Sequence, residues 1–326
     1  MDPIRRIAVP DLMELDEEGV LDPSQEKDYT VVKGLQHKYR ETALLLVSDV
    51  CGSFCRFCFR KRLFMDRGAE VTRDVTEELA YIREHPEVTN VLLTGGDPLI
   101  MATSRLAPIV RAVREIEHVR IIRIGSKMLA FNPFRVTEDP ALCEMIRRYS
   151  TPEKRIYIMA QFNHPRELTP EAVRAVSLLI DAGAIVVNQT PLVRGINDDP
   201  VVLAELFKKL SFIGVPPYYV FQCRPTKGNG MFQVPVEETY EIFEEAKAQV
   251  SGLAKRARLV MSHASGKIEV AGLTDECVYF KYHQAADPAH IGKFMAFRRN
   301  PAALWFDDYT DPVHDPADLP GMTCPI

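Results

Sequence analysis

Residues 42–58 read TALLLVSDVCGSFCRFC, an apolar strand pattern followed by three cysteines in C-x3-C-x2-C spacing. Thiolates are the ligands of iron–sulfur clusters, and a [4Fe-4S] cube usually binds four of them. This stretch supplies only Cys51, Cys55 and Cys58, so we expect one iron to stay open to a non-protein ligand. Zinc also accepts thiolates and is the alternative, but zinc sites usually pair two C-x2-C knuckles, and the sequence has no second one.

The strand pattern before the cysteines is the first of a series that alternates with helical patterns. Apolar runs follow at 90–94, 119–124, 155–161, 184–188, 218–223 and 257–262, and helical patterns lie at 74–85, 103–116, 138–149, 169–182, 199–211 and 236–250. This alternation predicts a parallel α/β sheet, which right-handed crossovers would curl into a full or partial barrel. We expect the barrel to occupy residues 37–274. Residues 1–36 would form an N-terminal extension lying over it, and 275–326 an irregular C-terminal wrap.

Composition excludes several classes of partner. A formal net charge of −5 gives no indication of a nucleic-acid or anionic-membrane partner. No apolar run approaches the roughly 18 residues of a membrane span, and the N-terminus does not read as a signal peptide. The seven cysteines are an odd number and argue against a disulfide framework. We therefore expect a protein of the reducing cytoplasm.

Polar residues stand where the predicted strands end. They are Gly95, Gly96 and Asp97 after the second strand, Arg123 and Ser126 on the third, Gln161 and His164 after the fourth, and Gln189 after the fifth. In parallel barrels the chemistry collects at the carboxyl ends of the strands, where the cysteine loop also lies. The paired glycines would let backbone amides and carbonyls approach an ammonium or carboxylate closely. One such residue often only satisfies a strand terminus, but a series along one rim predicts a binding site.

Seven runs of sequence carry a resemblance to a known family. They are HKY at 37–39, CGSFCRFCFRKR at 51–62, GGDPL at 95–99, RIGSK at 123–127, FNHP at 162–165, NQTPLVRGIND at 188–198 and PYYVFQC at 217–223. Over about residues 37–270 the chain resembles the lysine 2,3-aminomutase family of radical SAM enzymes. The resemblance implies a partial (β/α)6-type barrel, a [4Fe-4S] cluster whose open iron binds S-adenosylmethionine, and pyridoxal 5′-phosphate as second cofactor. It also assigns the GGD segment to the methionine amino group and makes Arg123 and Ser126 candidates for its carboxylate and ribose.

The implied pyridoxal phosphate site departs from the family's pattern. Family members attach this cofactor to a lysine that ends a glycine-rich loop after the last strand, a place held here by Lys267 in SHASGK. Ser262 and Ser265 of this bulkier loop would contact the phosphate group. A family arginine for the phosphate falls at Thr42, whereas Lys38 stands where another arginine is usual and keeps a positive charge.

Substrate recognition departs as well. Lysine-specific members bind the distant ammonium with two aspartates, one of which aligns with Arg224, while the other falls near Val260 or Met261. A guanidinium would repel an ammonium and pair with a carboxylate. Arg60 matches the residue that binds the substrate α-carboxylate. We therefore expect an α-amino acid with an acidic or neutral side chain, with a rim salt bridge as the alternative role of Arg224.

Family members often bind zinc through C-terminal cysteines and a loop cysteine of a neighbouring subunit. This tail has only Cys324, and Asp198 replaces the loop cysteine, so we expect no structural zinc and leave the homo-oligomeric state open. Cys143 and Cys277 are expected to pack as small apolar side chains.

The resemblance implies an isomerase that moves the amino group of an amino acid from C2 to C3. An external one-electron reductant, flavodoxin or ferredoxin, would start the reaction. One alternative is a radical SAM enzyme on the same scaffold that abstracts hydrogen or epimerises without pyridoxal phosphate. A simple electron carrier is another, although it would normally supply four local cysteines. The third is supply of β-lysine for modifying a translation factor, against which Arg224 argues.

Overall fold

The computed structural model describes residues 2–66 and 68–313, and within them twelve strands form one sheet in chain order. The strands are β1 (Thr30–Val32), β2 (Leu35–Tyr39), β3 (Thr42–Ser48), β4 (Asn90–Gly95), β5 (Ile121–Ser126), β6 (Ile156–Ala160), β7 (Ile185–Leu192), β8 (Pro217–Gln222), β9 (Arg258–His263), β10 (Gly266–Leu273), β11 (Cys277–Ala285) and β12 (Phe294–Arg298). The helices are α1 (Pro3–Ala8), α2 (Arg62–Met65), α3 (Thr76–Glu84), α4 (Thr103–Arg114), α5 (Met128–Phe131), α6 (Phe134–Thr137), α7 (Pro140–Tyr149), α8 (Pro170–Asp181), α9 (Pro200–Phe212) and α10 (Val236–Ala248).

Strands β3 to β9 pair in parallel and are joined by α3, α4, α7, α8, α9 and α10. The predicted alternation of strands and helices is therefore confirmed, with bounds that differ by a few residues. Three of these six connecting helices begin with a capping side chain followed by proline at the first helical position. Asp139, Thr169 and Asp199 each accept hydrogen bonds from backbone amides of the first turn, which fixes where α7, α8 and α9 start.

Side chains alternate between the two faces of the parallel sheet. On β4, Leu93 is fully buried in the core under the helices, while its neighbours Leu92 and Thr94 line a cavity of about 340 Å³ on the other face. The sheet curls around this cavity. Lys38 of β2 reaches across it and donates from Nζ to the His263 carbonyl at the end of β9, over 2.5 Å. The architecture is thus a partial barrel.

The prediction of an irregular C-terminal wrap is wrong for residues 277–298. Strand β10 forms an antiparallel hairpin with β9, and β11 and β12 extend the sheet beyond it. Alternate residues of β11, namely Val278, Phe280 and Tyr282, are buried. An antiparallel outer strand covered on one face alternates apolar with polar residues, so it lacks the continuous apolar run by which the parallel strands are recognised. Residues 314–326, which include Cys324, lie outside the described residues.

The N-terminal segment packs against the carboxyl ends of the strands. Ile7 of α1 is buried with Phe57 of the cysteine loop and Phe232, and its carbonyl accepts a hydrogen bond from the Arg56 amide at 2.9 Å. The domain boundaries themselves stay predictions. In the described chain, no helix combines the length and apolar character that a bilayer crossing needs.

Candidate active site

One cavity gathers nearly all of the residues that the sequence analysis selected. Its lining includes Lys38, Cys51, Cys55, Cys58, Arg60, Gly95, Gly96, Asp97, Arg123, Ser126, Gln161, Gln189, Arg224, Ser262 and Lys267. These residues come from strands β2 to β10 and from the loops at their carboxyl ends. The cavity therefore has the place in the fold that parallel barrels give to their chemistry.

Gly95, the last residue of β4, and Gly96, which follows it, are required by the packing of the cysteine loop. The amides of Gly96 and Asp97 donate to the carbonyls of Ser48 and Val50, over 2.5 and 2.8 Å. A side chain on Gly95 or Gly96 would collide with those same carbonyl oxygens, and Gly95 also has φ of +117°. Because these amides are taken, the segment offers a ligand its carbonyl oxygens, which are acceptors suited to an ammonium.

The three cysteines of the loop line the cavity as a donor set for iron. Burial raises the pKa of all three thiols, that of Cys55 to about 12. Ionisation of these thiols is therefore coupled to the binding of a cation. In the described ranges, no three His, Cys, Asp or Glu side chains converge on the position of a single metal ion. A cube binds each cysteine through a separate iron and does not need such convergence.

Beside the cysteines, hydrogen bonds connect the polar groups at the ends of β4, β5 and β6. The Asp97 carboxylate accepts from Ser126 Oγ at 3.1 Å and from the Lys127 amide at 2.7 Å, and burial raises its pKa. The buried ammonium of Lys127 donates to Glu167 at 2.7 Å and to the Gln161 carbonyl at 2.9 Å. This network fixes the rim on the cysteine side of the cavity.

Another part of the cavity wall is cationic. Burial, reinforced by the charges of Arg123, Arg224 and Lys38, lowers the pKa of Lys267 to about 7. Burial likewise lowers the pKa of Lys38 to about 8. Lys267 Nζ lies 4.3 Å from the ring centroid of Tyr219. Within the described residues none of these four cations forms a salt bridge, so this end of the cavity is built for anionic groups.

Arg123 belongs to this cationic group by its position. Its Nε donates to Asn90 Oδ1 at 2.9 Å, and its charge acts on Lys267. Its role toward the methionine carboxylate stays a prediction.

The two arginines expected to bind substrate are in different states. Arg224 stacks on Phe59, and its buried Nη1 has no hydrogen-bond partner. Burial lowers its pKa to about 10. In the described part of the chain Arg224 makes no salt bridge, so the structure does not show the rim salt bridge that was its alternative role. Arg60 is buried, with Glu26 bound to Nε and Nη2 and Thr94 bound to Nη1 at 2.9 Å.

Two predicted residues lie away from the cavity lining. His164 accepts the Arg166 amide at Nδ1, over 3.1 Å, and caps a short 3-10 helix. The Ser265 hydroxyl bonds His263 Nδ1 at 2.7 Å and Tyr282 at 2.8 Å. The structure therefore gives both side chains local partners, and it does not bring them to the other predicted residues.

Some residues of the site escaped the sequence analysis. Glu26 lies in the extension, where nothing distinguishes it from the other acids. Cys223 lines the cavity and packs with Cys55 and Phe57, but a lone cysteine at the end of a strand carries no signal of its own. Phe59 sits inside the cysteine motif, where its contact with Arg224 could not be foreseen.

Comparison with known proteins agrees with this geometry. Residues 45–207 match the family model described as the Radical SAM superfamily. A protein of Aquifex aeolicus named "Putative L-lysine 2,3-aminomutase" is 61% identical over 96% of this chain and 84% of its own length. The L-lysine 2,3-aminomutase of Fusobacterium nucleatum is 39% identical over 77% of this chain. The glutamate 2,3-aminomutase of Clostridioides difficile is 35% identical over 81% of it.

The chain spans 59% of the Fusobacterium enzyme and 62% of the Clostridioides enzyme. The residues matched by the family model include the cysteine loop and strands β4 to β7. The chain therefore belongs to the lysine 2,3-aminomutase family of the radical SAM superfamily, a family of isomerases that use a [4Fe-4S] cluster and S-adenosylmethionine.

Proposed function

We propose that this protein is a pyridoxal phosphate-dependent aminomutase that moves the α-amino group of an acidic or neutral α-amino acid to its β-carbon. The observation that carries the substrate class is a balance of charge. Among the described residues, the carboxylates that line the cavity are those of Glu26 and Asp97, and both are already engaged, whereas Arg224 keeps unused donors. An ammonium on a substrate side chain would find only carboxylates that are already bound to other groups, and a carboxylate would find a guanidinium with unused donors.

The cysteine side suits the radical-generating cofactors. Cys51, Cys55 and Cys58 would hold the cluster, and Ser126 and Gln161 would face the bound S-adenosylmethionine. When bound and reduced, the cluster supplies the electron that cleaves S-adenosylmethionine into a hydrogen-abstracting radical. We propose flavodoxin or ferredoxin as the electron donor and the reducing cytoplasm as the compartment, because the six cysteines that the structure describes are free thiols.

The cationic side suits pyridoxal phosphate. A lysine with a pKa of about 7 has a substantial uncharged fraction near neutral pH, so Lys267 can attack a carbonyl carbon. Lys38 supplies positive charge for the phosphate group, and Ser262 lines the same wall. When bound, pyridoxal phosphate supplies a conjugated ring that delocalises electrons while nitrogen migrates.

The protein's own contribution is position and exclusion of water. Phe59, which directly follows Cys58, and Phe221, whose ring centroid is 5.9 Å from Lys267 Nζ, line the cavity. An apolar wall keeps water from a reactive radical and strengthens the electrostatic interactions around it. Arg60 and Arg224 would fix the two ends of an amino acid, which places its β-carbon between the two cofactor sites.

The test uses anaerobic protein with reconstituted cluster, S-adenosylmethionine, pyridoxal phosphate and dithionite. The protein is incubated separately with L-glutamate, L-alanine and L-lysine, and β-amino acids are quantified by mass spectrometry. We expect the β-isomer of an acidic or neutral amino acid and little from lysine. Rapid turnover of lysine with glutamate untouched would contradict the charge argument, although the reaction class would stand.

A further inference from the structure

The N-terminal segment contributes a carboxylate to the wall of the site. Glu26 accepts from Arg60 Nη2 at 2.7 Å and from Arg60 Nε at 2.9 Å, and it also accepts from Arg62 Nη2 at 2.7 Å. Burial alone would raise the pKa of Glu26, but the two guanidinium groups hold it well below its usual range. Glu26 is therefore ionised in the folded protein near neutral pH.

The bonds to Glu26 determine which part of Arg60 is left for a ligand. A guanidinium can receive a carboxylate on its Nε–Nη2 edge or on its Nη1–Nη2 edge. Glu26 occupies the first edge, and Thr94 accepts one bond from Nη1. The plane of the guanidinium is then fixed, and an incoming carboxylate can use only what remains of the Nη1–Nη2 edge.

The chain segment that carries Glu26 is fixed by hydrogen bonds to two different loops of the barrel. Ser24 Oγ donates to the Ser262 carbonyl and Tyr29 OH to the Ala264 carbonyl, each over 2.8 Å. On the other side, the Val20 amide donates to the Pro225 carbonyl at 3.0 Å. The segment is thus tied to the β9–β10 turn and to the loop after β8, so its acid has a defined position.

We infer that Glu26 is a positioning residue that fixes Arg60 so that its remaining edge receives the α-carboxylate of the substrate. This inference rests on the proposed function. The α-carboxylate is common to all α-amino acids, so Glu26 affects substrates of every side chain equally. Arg224, by contrast, acts only on the side chain.

Glu26 is not a plug that substrate must displace. Displacement would break the bonds to Arg60 and leave a buried acid on Arg62 alone, where Glu70 is already bound at 2.9 Å. Removing one partner from a buried, hydrogen-bonded ion pair is strongly unfavourable. The pair therefore stays intact when substrate binds.

The experiment compares Glu26→Gln with Glu70→Gln in the anaerobic, reconstituted holoenzyme. Glu70 pairs with Arg62 and makes no contact with Arg60, so its variant removes an equal charge beside the site. Calorimetry gives the dissociation constants of L-glutamate and L-alanine, and kinetics give KM and kcat. Iron content, melting temperature and S-adenosylmethionine cleavage without substrate verify that each variant is folded and loaded. Glu26→Asp supplies a conservative variant that keeps the charge.

We expect Glu26→Gln to weaken the binding of both amino acids by about 10- to 100-fold, because Arg60 loses its alignment. The kinetic effect should fall mainly on KM. Glu26→Asp should recover part of the loss, and Glu70→Gln should bind both amino acids as the parent protein does. Unchanged or tighter binding by Glu26→Gln would overturn the inference, and so would a loss confined to glutamate. If the parent protein binds neither amino acid, the proposed function fails, and the inference about Glu26 fails with it.

Discussion

The guanidinium of Arg224 stacks on the ring of Phe59, with 3.5 Å between Cζ and the ring centroid. Phe59 directly follows the third cysteine of the loop, and Arg224 lies two residues beyond β8. The contact therefore joins the cysteine loop to the loop after β8. Stacking holds a cation in place without using its N–H donors, which leaves them for a ligand.

Reversing the charge of Arg224 should reverse the choice of substrate. In Arg224→Asp, an acidic side chain would meet an anion and an ammonium would gain a partner. We expect kcat/KM for L-glutamate to fall and that for L-lysine to rise, each by about tenfold or more. The measurement is the yield of each β-amino acid by mass spectrometry over a range of substrate concentrations.

Lys227→Asp is the matched control for this substitution. Lys227 lies on the same loop, and its Nζ is 3.7 Å from Glu17, whose side chain is 87% exposed. The control changes net charge by the same amount but at the surface, where solvent screens it. An equal shift of preference in both variants would mean that Arg224 acts through the overall field and not through contact.

Attachment of pyridoxal phosphate should follow the unusual pKa of Lys267. Only the neutral amine is nucleophilic, and burial with nearby cations lowers its pKa to about 7. The rate constant of attachment should therefore increase as pH is raised through about 7 and level off above it. An ordinary lysine would show no plateau until a pH near its usual value of about 10.4. The visible absorbance of protein mixed with pyridoxal phosphate reports the rate.

Borohydride reduction followed by peptide mass spectrometry locates the attached group. We expect the pyridoxyl label on Lys267 and its loss in Lys267→Ala, whereas Lys281→Ala, at an exposed position of β11, should keep it. A label that persists in Lys267→Ala would show that another lysine carries the cofactor, whereas a parent protein without any label would favour the reaction without pyridoxal phosphate.

The parallel half of the fold could be predicted because its strands are buried on both faces. Such strands leave continuous apolar runs, as TALLLVS does in β3, and three of the six helices between them begin at Asp-Pro or Thr-Pro pairs. The outer strand β11 alternates tyrosine and lysine with apolar residues, and it could not be told from an irregular segment. One-sided burial leaves a weaker signal than two-sided burial.

The site shows the same division. The cysteines, Lys267 and Arg224 carry chemistry in their own side chains and could be selected from local motifs. The pairing of Glu26 with Arg60 joins residues that are 34 positions apart and depends on how the extension crosses the barrel. No local pattern encodes such a contact. The sequence predicts that Gly95 and Gly96 let a ligand approach the backbone. The structure adds a second reason for glycine here, because the carbonyls of Ser48 and Val50 pack where a side chain would lie.

Each cysteine of the loop should be needed for iron. In Cys51→Ala, Cys55→Ala or Cys58→Ala, one corner of the cube loses its thiolate, so iron content and S-adenosylmethionine cleavage should fall to background. Cys143→Ala is the control, because Cys143 lies on α7 and packs against the core. Iron and acid-labile sulfide assays on reconstituted protein make the comparison. Full iron content in a loop variant would show that its cysteine is not a ligand.

Gly96 should couple the stability of the barrel to the cysteine loop. A methyl group at this position would collide with the Val50 carbonyl, which accepts the Asp97 amide at 2.8 Å. To make room, the loop must move away from β4 and carry Cys51 with it. We expect Gly96→Ala to cost about 2 kcal/mol or more in the free energy of unfolding and to lower iron retention.

Gly252→Ala is the control that separates the collision at Gly96 from the general effect of replacing a glycine with alanine. Gly252 has no neighbouring atom within 4 Å of the added methyl group, so the substitution should be neutral or stabilising by about 0.4–1 kcal/mol. Urea unfolding and iron analysis of both variants form the test. If Gly96→Ala lost stability but kept its iron, the loop would be independent of the strand end. A joint loss is expected because the two hydrogen bonds from Gly96 and Asp97 are what hold the loop against β4.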